Sequence, residues 1–248
     1  MKSNMQQTVE KQGDAMTKTE QENLEIRIRL HRDYSMNPQG FQNWIREQMK
    51  CSESLKILEL GCGTGSLWRV QKLPKDCKLL LTDLSETVPF DLAQIKGDVT
   101  YRSVDANKKL PFEDETFDVV IANHLLFFLE DISYTLHEIS RVLVASGRFY
   151  STTFGCENMK ELHQLDGEKT PQNFTLENGT SILSAVFSNV ALKTYHDQLS
   201  VTQPQALIDY IETYQTISQK NKTKIREEIA QNGSFDIQKT QGLFISQK

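Results

Sequence analysis

The stretch Lys56-Ile57-Leu58-Glu59-Leu60-Gly61-Cys62-Gly63-Thr64-Gly65-Ser66 decides the fold. Its first half is apolar except for Lys56 and Glu59, which is typical of a buried parallel strand. Three glycines at alternate positions follow, and apolar residues resume at Leu67, so the pattern predicts a strand, a tight turn and the start of a helix. Alternate glycines permit positive φ, and a helix N-terminus offers unpaired N–H groups. The sequence therefore predicts a ligand-binding turn after the first strand.

Apolar runs downstream predict four more strands, separated by helical patterns. These strands are expected at residues 78–83, 99–104, 116–124 and 147–154, and two further strands are expected at 190–196 and 242–246. Strands that alternate with helices indicate a parallel, doubly wound sheet, whose ligand lies at the carboxyl ends of the strands. Asp83 ends the second strand and Asp105 follows the third, so both carboxylates are predicted to face one crevice.

The composition is that of an ordinary globular protein, with 248 residues, 38% hydrophobic residues and a net charge of −5. The longest apolar run, 125–129, is too short to cross a bilayer, and no apolar leader opens the chain, so we expect a soluble, cytoplasmic protein without membrane contact. The four cysteines show no C-x-x-C pair and no zinc-like spacing to histidine, which predicts reduced thiols and no metal. The acidic charge argues against a nucleic-acid partner.

The glycine spacing separates two classes of nucleotide-binding turn. An NAD-binding turn reads G-x-G-x-x-G, whereas the third glycine here comes one residue early, at Gly65. Glu59-x-Gly61-x-Gly63-x-Gly65 instead resembles the first motif of class I S-adenosylmethionine-dependent methyltransferases, of the small-molecule, type 11-like kind. The resemblance extends from about Leu55 to Gly155. It includes the segment 141–147, which is similar to the family's R-V-L-x-P-G-G with Ala and Ser in place of the Pro and the first Gly.

The resemblance implies an α/β, Rossmann-like fold. It consists of a doubly wound seven-stranded sheet with helices on both faces, an antiparallel last strand, N-terminal helices and a helical substrate cover. Residues 1–20 are polar and poor in aromatics, which predicts a disordered tail. Residues 21–248 then form a single methyltransferase domain, with 155–188 and 200–233 as inserted cover segments. A loop at 31–40 is predicted between the two N-terminal helices.

The resemblance also implies S-adenosylmethionine as cofactor, with S-adenosylhomocysteine as product. The implied cofactor-binding residues are the glycine loop, the acidic strand ends with the residues after them, and one residue from each of two further loops. They are Tyr34, Glu59, Gly61, Cys62, Gly63, Thr64, Gly65, Asp83, Leu84, Asp105, Ala106 and Asn123.

Each acidic residue has a predicted role. Asp83 would accept hydrogen bonds from both ribose hydroxyls, the alternative being a helix N-cap for the stretch that begins at Ser85. Asp105 would accept from the adenine amine while the N–H of Ala106 meets a ring nitrogen. Glu59 would fix the glycine loop by accepting backbone N–H bonds, because a carboxylate inside an apolar strand needs a partner.

Three uncharged side chains complete the predicted site. Tyr34, with Arg32 as second choice, would contact the carboxylate of the cofactor; the alternative is that Tyr34 docks the N-terminal helices. Asn123 would approach the amino-acid end of the cofactor or cap a turn. His124 is a candidate general base, and packing or substrate contact is its alternative role.

These patterns predict transfer of a methyl group to an O, N or C atom of a small organic molecule by a monomer or homodimer. Residues 123–126 lack the N/D-P-P-Y signature of enzymes that methylate exocyclic base amines, and no Pro-Cys nucleophile is present. An alternative is a protein that binds S-adenosylmethionine without transferring a methyl group and serves as a regulatory or partner subunit. The sequence leaves the acceptor unidentified.

Overall fold

The computed structural model describes residues 18–49, 51–88, 90–166 and 173–248. Its strands are β1 Lys56–Leu60, β2 Lys78–Asp83, β3 Asp98–Ser103, β4 Phe117–Asn123, β5 Leu143–Phe154, β6 Ser188–Val201 and β7 Phe235–Gln247. They form one sheet of seven strands in the order β3-β2-β1-β4-β5-β7-β6. The first five strands are parallel, and β7 is antiparallel to both β5 and β6. The predicted doubly wound sheet with its antiparallel last strand is confirmed.

Eight α-helices flank the sheet in the described part of the chain. They are α1 Lys18–Tyr34, α2 Phe41–Met49, α3 Ser66–Arg69, α4 Ile132–Val142, α5 Lys160–Asp166, α6 Gly179–Leu183, α7 Pro204–Glu212 and α8 Gln219–Asn232. Short 3₁₀ helices lie at Leu92–Gln94 and Leu126–Phe128. Within these described residues, no helix is both long and apolar enough to cross a membrane.

The two faces of the sheet bury separate hydrophobic clusters. On one face, Ile57, Ile121 and Tyr150 pack with residues of α2 and α3 such as Ile45 and Trp68. On the opposite face, apolar residues of the same strands pack with α4 and α6. Because successive strand residues point to opposite faces, nearly continuous apolar strands are needed to supply both clusters.

A third cluster lies at the far end of the β6–β7 hairpin. It joins Leu30 of α1, Leu162 of α5, Leu207 of α7 and Ile225 of α8 with Ile237 of β7. Helices from both predicted cover segments thus share one apolar core with the N-terminal helix. The assignment of these segments as a substrate cover stays a prediction.

Two predicted boundaries near the N-terminus were wrong. Helix α1 begins at Lys18, inside the range predicted for the tail, and it continues through 31–34, which were predicted as loop. His31 and Arg32 in its last turn interact favourably with the helix dipole, which helps to extend the helix. The connecting loop is therefore only 35–40. The rest of the predicted tail, residues 1–17, lies outside the described residues.

The last two strands are much longer than predicted. The sequence predicted 190–196 and 242–246, whereas the two strands pair from Ser188↔Gln247 to Val201↔Phe235. Their outer halves are rich in Gln, Ser, Thr and Asp, which weakens an apolar strand pattern. Mutual hydrogen bonding along the hairpin and burial against the third cluster stabilise these halves instead.

Candidate functional site

The glycine loop follows β1 and has the backbone that its sequence predicts. Gly61, Gly63 and Gly65 have φ values of 65°, 51° and 66°. A Cβ at Gly61 would lie 2.8 Å from Leu125 Cδ1, and one at Gly65 would lie 2.3 Å from Phe90 Cζ. Gly63 is exposed, and a Cβ there would meet no atom within 4 Å. The loop thus presents bare backbone to open space at the carboxyl edge of the sheet.

Asp83, at the end of β2, holds this loop in place. Its Oδ2 accepts a hydrogen bond from the N–H of Gly63, and its Oδ1 accepts one from the N–H of Leu84, each at 2.8 Å. The stretch at Ser85 forms bends rather than a helix, so the N-cap alternative for Asp83 was wrong. A carboxylate has about four acceptor positions, so Asp83 keeps capacity for further donors.

Glu59, inside β1, is hydrogen-bonded to the helix that follows the glycine loop. Its side chain is buried and its Oε2 accepts a hydrogen bond of 2.5 Å from the indole Nε1 of Trp68, in α3. The prediction that backbone N–H groups of the loop donate to Glu59 was therefore wrong, because the donor is the indole N–H of Trp68. The guanidinium of Arg46 lies 4.5 Å from the Trp68 ring. Burial, aided by the charge of Asp83, raises the pKa of Glu59 to about 8 despite the indole bond.

Asp105 lies next to Asp83 because the N–H of Val104 donates to the Asp83 carbonyl at 2.8 Å. Burial would raise the pKa of Asp105, but hydrogen bonds from Asn107 and Lys108 outweigh it and lower the pKa. The lysine Nζ lies 3.1 Å from Asp105 Oδ2. The carboxylate is thus ionised and available at the same edge as the glycine loop. Ala106, the next residue, is buried.

The end of β4 forms the other side of the crevice. Asn123 Oδ1 accepts from Thr152 Oγ1 at 2.6 Å, and the same hydroxyl oxygen accepts from the N–H of His124 at 2.9 Å. His124 has a positive φ of 52°, and its ring stacks on Phe154 with 4.3 Å between centroids. Burial, followed by the charge of Lys239, lowers the pKa of His124 to about 3. The imidazole is therefore neutral at physiological pH.

Tyr34 packs against the third hydrophobic cluster, as its docking alternative predicted. Arg32 is exposed and pairs with Asp33 at 2.7 Å. A contact of Tyr34 with bound cofactor stays a prediction. The other predicted loop residues, Cys62 and Thr64, lie within the glycine loop, where the Thr64 carbonyl accepts from an Arg69 guanidinium nitrogen at 2.8 Å.

The sequence did not reveal how the loop 35–40, here called the strap, is fastened. Asp197 of β6 accepts hydrogen bonds from Ser35 Oγ at 2.8 Å and from the N–H of Asn37 at 3.0 Å. The N–H of Met36 donates to the Gln198 carbonyl at 2.8 Å. A buried Asp at an alternate position of an amphipathic strand was the available signal, but its partners are distant in sequence.

No group of three or more potential metal ligands exists among the residues that the structure describes. The four cysteines are free.

Residues 58–151 match the family model described as a methyltransferase domain. Malonyl-[acyl-carrier protein] O-methyltransferase of Bacillus cereus is 29% identical over 148 residues, which are 58% of this chain and 54% of that protein. A mitochondrial arginine hydroxylase of Mus musculus is 31% identical over 108 residues, which are 42% of this chain and 30% of that protein. The chain spans about half the length of the malonyl-[acyl-carrier protein] methyltransferases that it matches in three Bacillus species.

A crystal structure from Bacillus halodurans, assigned as a methyltransferase, superposes with a TM-score of 0.60 at 15% identity. The superposition covers 84% of this chain and 98% of that one. At this identity the likeness supports the fold alone. Residues 58–151 are thus a methyltransferase domain, and the chain resembles the class I, S-adenosylmethionine-dependent methyltransferases. The glycine loop and Asp83 lie at the carboxyl edge of its sheet.

Proposed function

We propose that this chain transfers a methyl group from S-adenosylmethionine to an O, N or C atom of a small organic molecule, releasing S-adenosylhomocysteine. The observation that carries the proposal is the exposed backbone of Gly63, fastened by Asp83 at the carboxyl edge of the sheet. This loop would tolerate a ligand pressed against the main chain, as a nucleoside requires.

The residues at this edge fit the parts of the cofactor. Asp83 has remaining acceptor capacity for two ribose hydroxyls, and Asp105 is an ionised acceptor suited to an exocyclic amine. The backbone around Gly63 is open to the solvent. When bound, S-adenosylmethionine supplies a methyl group already activated by a sulfonium centre.

Alignment and exclusion of water are the contributions expected of the chain itself. His124, Asn123 and Thr152 form one hydrogen-bonded unit that fixes the backbone beside the crevice. With a pKa of about 3, the imidazole of His124 is a weak base, so its neutral ring is better suited to hold an acceptor than to remove a proton. A direct catalytic role for His124 remains a prediction.

The acceptor is proposed to be small rather than carrier-bound. The relatives named above act, by their names, on malonyl-[acyl-carrier protein] and on arginine, so similarity at this level leaves the reaction open. A malonyl group bears a carboxylate, whereas Lys239, whose charge acts on His124, is already joined to Asp197 at 3.4 Å. The net charge of −5 favours a small molecule over nucleic acid, and four free thiols favour a cytoplasmic compartment.

The test uses the full-length chain and two measurements. Calorimetry should show binding of S-adenosylhomocysteine, and a metabolite panel scored by release of S-adenosylhomocysteine should identify an acceptor. Binding with turnover supports the proposal. Binding without turnover across a broad panel would favour the alternative of a partner subunit, and an absence of binding would refute both.

A further inference from the structure

Four of the buried polar atoms that have no hydrogen-bond partner in the described part of the chain belong to residues grouped around the end of β4 and the β6–β7 hairpin. They belong to His31, His124, Tyr195 and Gln241, here called the polar cluster, and the atoms are the two Nδ1 nitrogens, the phenol oxygen and the amide Oε1. Leaving such a group unpaired costs about 1–3 kcal/mol, and native proteins pair most of them. Their concentration at one place therefore requires an explanation.

The sheet register brings three members of the cluster together. Gln241 of β7 lies opposite Tyr195 of β6 and opposite Phe154 of β5, so the three side chains share one face. The His124 ring stacks on Phe154 at 4.3 Å. Phe41 closes the group, with its ring 5.4 Å from His124 and 5.2 Å from Tyr195.

His31 reaches the same place from α1. Its ring meets Tyr210 edge-on at 5.7 Å, and Lys239 and His124 lie close enough to help lower its pKa. Lys239 lies two residues before Gln241 on β7, opposite Asp197, which fastens the strap. Helix α1 therefore supplies one member of the polar cluster, and the strap is fastened to the neighbouring part of β6.

The surroundings of the cluster carry no uncompensated charge. Burial is the main cause that lowers the pKa of both His31 and His124 to about 3, so both rings are neutral. Lys239 is paired with Asp197 at 3.4 Å, and both side chains are buried. A carboxylate placed here would lose its hydration without gaining a free counter-charge, which is strongly unfavourable.

The side chains that surround His124 in the polar cluster are aromatic. Phe41, Phe127 and Phe154 surround the His124 ring with centroid distances of 5.4, 6.2 and 4.3 Å. Stacked and tilted rings of this kind favour a flat aromatic ligand. Tyr195 and Gln241 add a hydroxyl and an amide oxygen that can meet polar groups at the edge of such a ring.

We propose that the polar cluster binds the methyl acceptor and selects a neutral, single-ring aromatic molecule that bears a hydroxyl or N–H group. The proposal rests on the proposed function, since it names the acceptor class of that same site. Gln241 Oε1 would accept a hydrogen bond from the ligand, and the hydroxyl of Tyr195 would donate one or accept one. The two imidazoles would adopt the tautomers that match the ligand.

Three probes of one shape test the selection. The full-length chain with saturating S-adenosylhomocysteine is titrated with 4-methylphenol, toluene and 4-methylbenzoate by ligand-observed NMR at about pH 7. We expect 4-methylphenol to bind with a Kd of about millimolar order, as suits a ligand of this size. Toluene lacks the polar group and 4-methylbenzoate is charged, so each should bind at least about tenfold more weakly.

Matched variants locate the binding. Gln241→Leu and Tyr195→Phe should each weaken 4-methylphenol about three- to twentyfold, as expected for one lost hydrogen bond in a buried site. Ser246→Ala is the control, because Ser246 is on the same strand β7 and also has a buried, unpartnered oxygen, but it pairs with Phe149 far from the cluster. It should leave probe binding unchanged. Near-ultraviolet circular dichroism checks that each variant is folded.

The outcomes separate this proposal from the proposed function. Equal or tighter binding of 4-methylbenzoate, or equal effects of Gln241→Leu and Ser246→Ala, would overturn the assignment of the polar cluster. S-adenosylhomocysteine binding is titrated separately. If S-adenosylhomocysteine does not bind, the proposed function is refuted. If it binds but 4-methylphenol is not preferred over the other two probes, only the proposed acceptor class is refuted.

Discussion

Replacing Glu59 with Gln should make the protein more stable at alkaline pH and leave its stability almost unchanged at acidic pH. Glu59 is buried, and its pKa is raised from 4.5 to about 8, chiefly by burial. The folded state therefore keeps a proton that the unfolded state releases between these two pKa values. Its contribution to stability is complete below about pH 4.5 and is lost as the pH rises through about 8. Gln keeps the acceptor oxygen for Trp68 and does not titrate.

The magnitude follows from the size of the pKa change. At about 1.4 kcal/mol per pKa unit, the upper limit of the alkaline penalty is about 5 kcal/mol. Relaxation around the carboxylate reduces this limit, so we expect Glu59→Gln to gain about 2–3 kcal/mol relative to the parent protein between about pH 5.5 and 9.

Denaturant unfolding of both proteins at these two pH values measures the difference, in which the other titrating groups cancel. Glu59→Leu is the control: it leaves the buried Trp68 Nε1 without an acceptor and, like Gln, does not titrate, so it should be about 1–3 kcal/mol less stable than Glu59→Gln at every pH. A difference between Glu59→Gln and the parent that does not change with pH would refute a protonated Glu59 at neutral pH.

Three further predictions concern the crevice and its cover. The pH profile of kcat for the parent protein should show no histidine titration between about pH 5 and 8, because the pKa of His124 is lowered to about 3. A titration near pH 6.5 that disappears in His124→Gln, with kcat reduced by ~10²–10⁴, would instead identify His124 as a general base. Tyr34→Phe should raise the Kd for S-adenosylhomocysteine about three- to twentyfold if Tyr34 contacts the cofactor carboxylate, and an unchanged Kd in calorimetry would leave Tyr34 as a docking residue. Asp197→Asn weakens the acceptor for the strap and leaves the buried Lys239 unpaired. Hydrogen exchange of residues 35–40 should therefore accelerate at least about tenfold, while exchange in α4 stays unchanged. Unchanged exchange of residues 35–40 would show that the other contacts of the strap hold it.

Local sequence patterns were sufficient for the centre of the fold. The apolar run of β1, the three glycines and the acidic ends of the next strands are short-range signals, and the structure contains the corresponding sheet and loop. Steric restriction explains why the glycines were informative, since positive φ and the proximity of Leu125 and Phe90 exclude other residues at Gly61 and Gly65.

Contacts between distant residues could not be predicted in the same way. Glu59 was expected to bind loop N–H groups, but the preferred donor is an indole whose position depends on helix packing. Asp197 is polar in an outer strand half, and its role is visible only when the strap is beside it. The polar cluster likewise joins α1, the end of β4 and the β6–β7 hairpin, so its members have no common sequence spacing.

The most direct test of the central claim is calorimetric titration of the full-length chain with S-adenosylhomocysteine and with NAD, repeated with Asp83→Ala. The glycine loop and Asp83 predict binding of S-adenosylhomocysteine and no binding of NAD. Loss of a charged acceptor for two hydroxyls, at about 1.5–3 kcal/mol for each hydrogen bond, predicts a Kd at least about tenfold weaker for Asp83→Ala. Binding of NAD in place of S-adenosylhomocysteine, or an unchanged Kd for Asp83→Ala, would contradict the account.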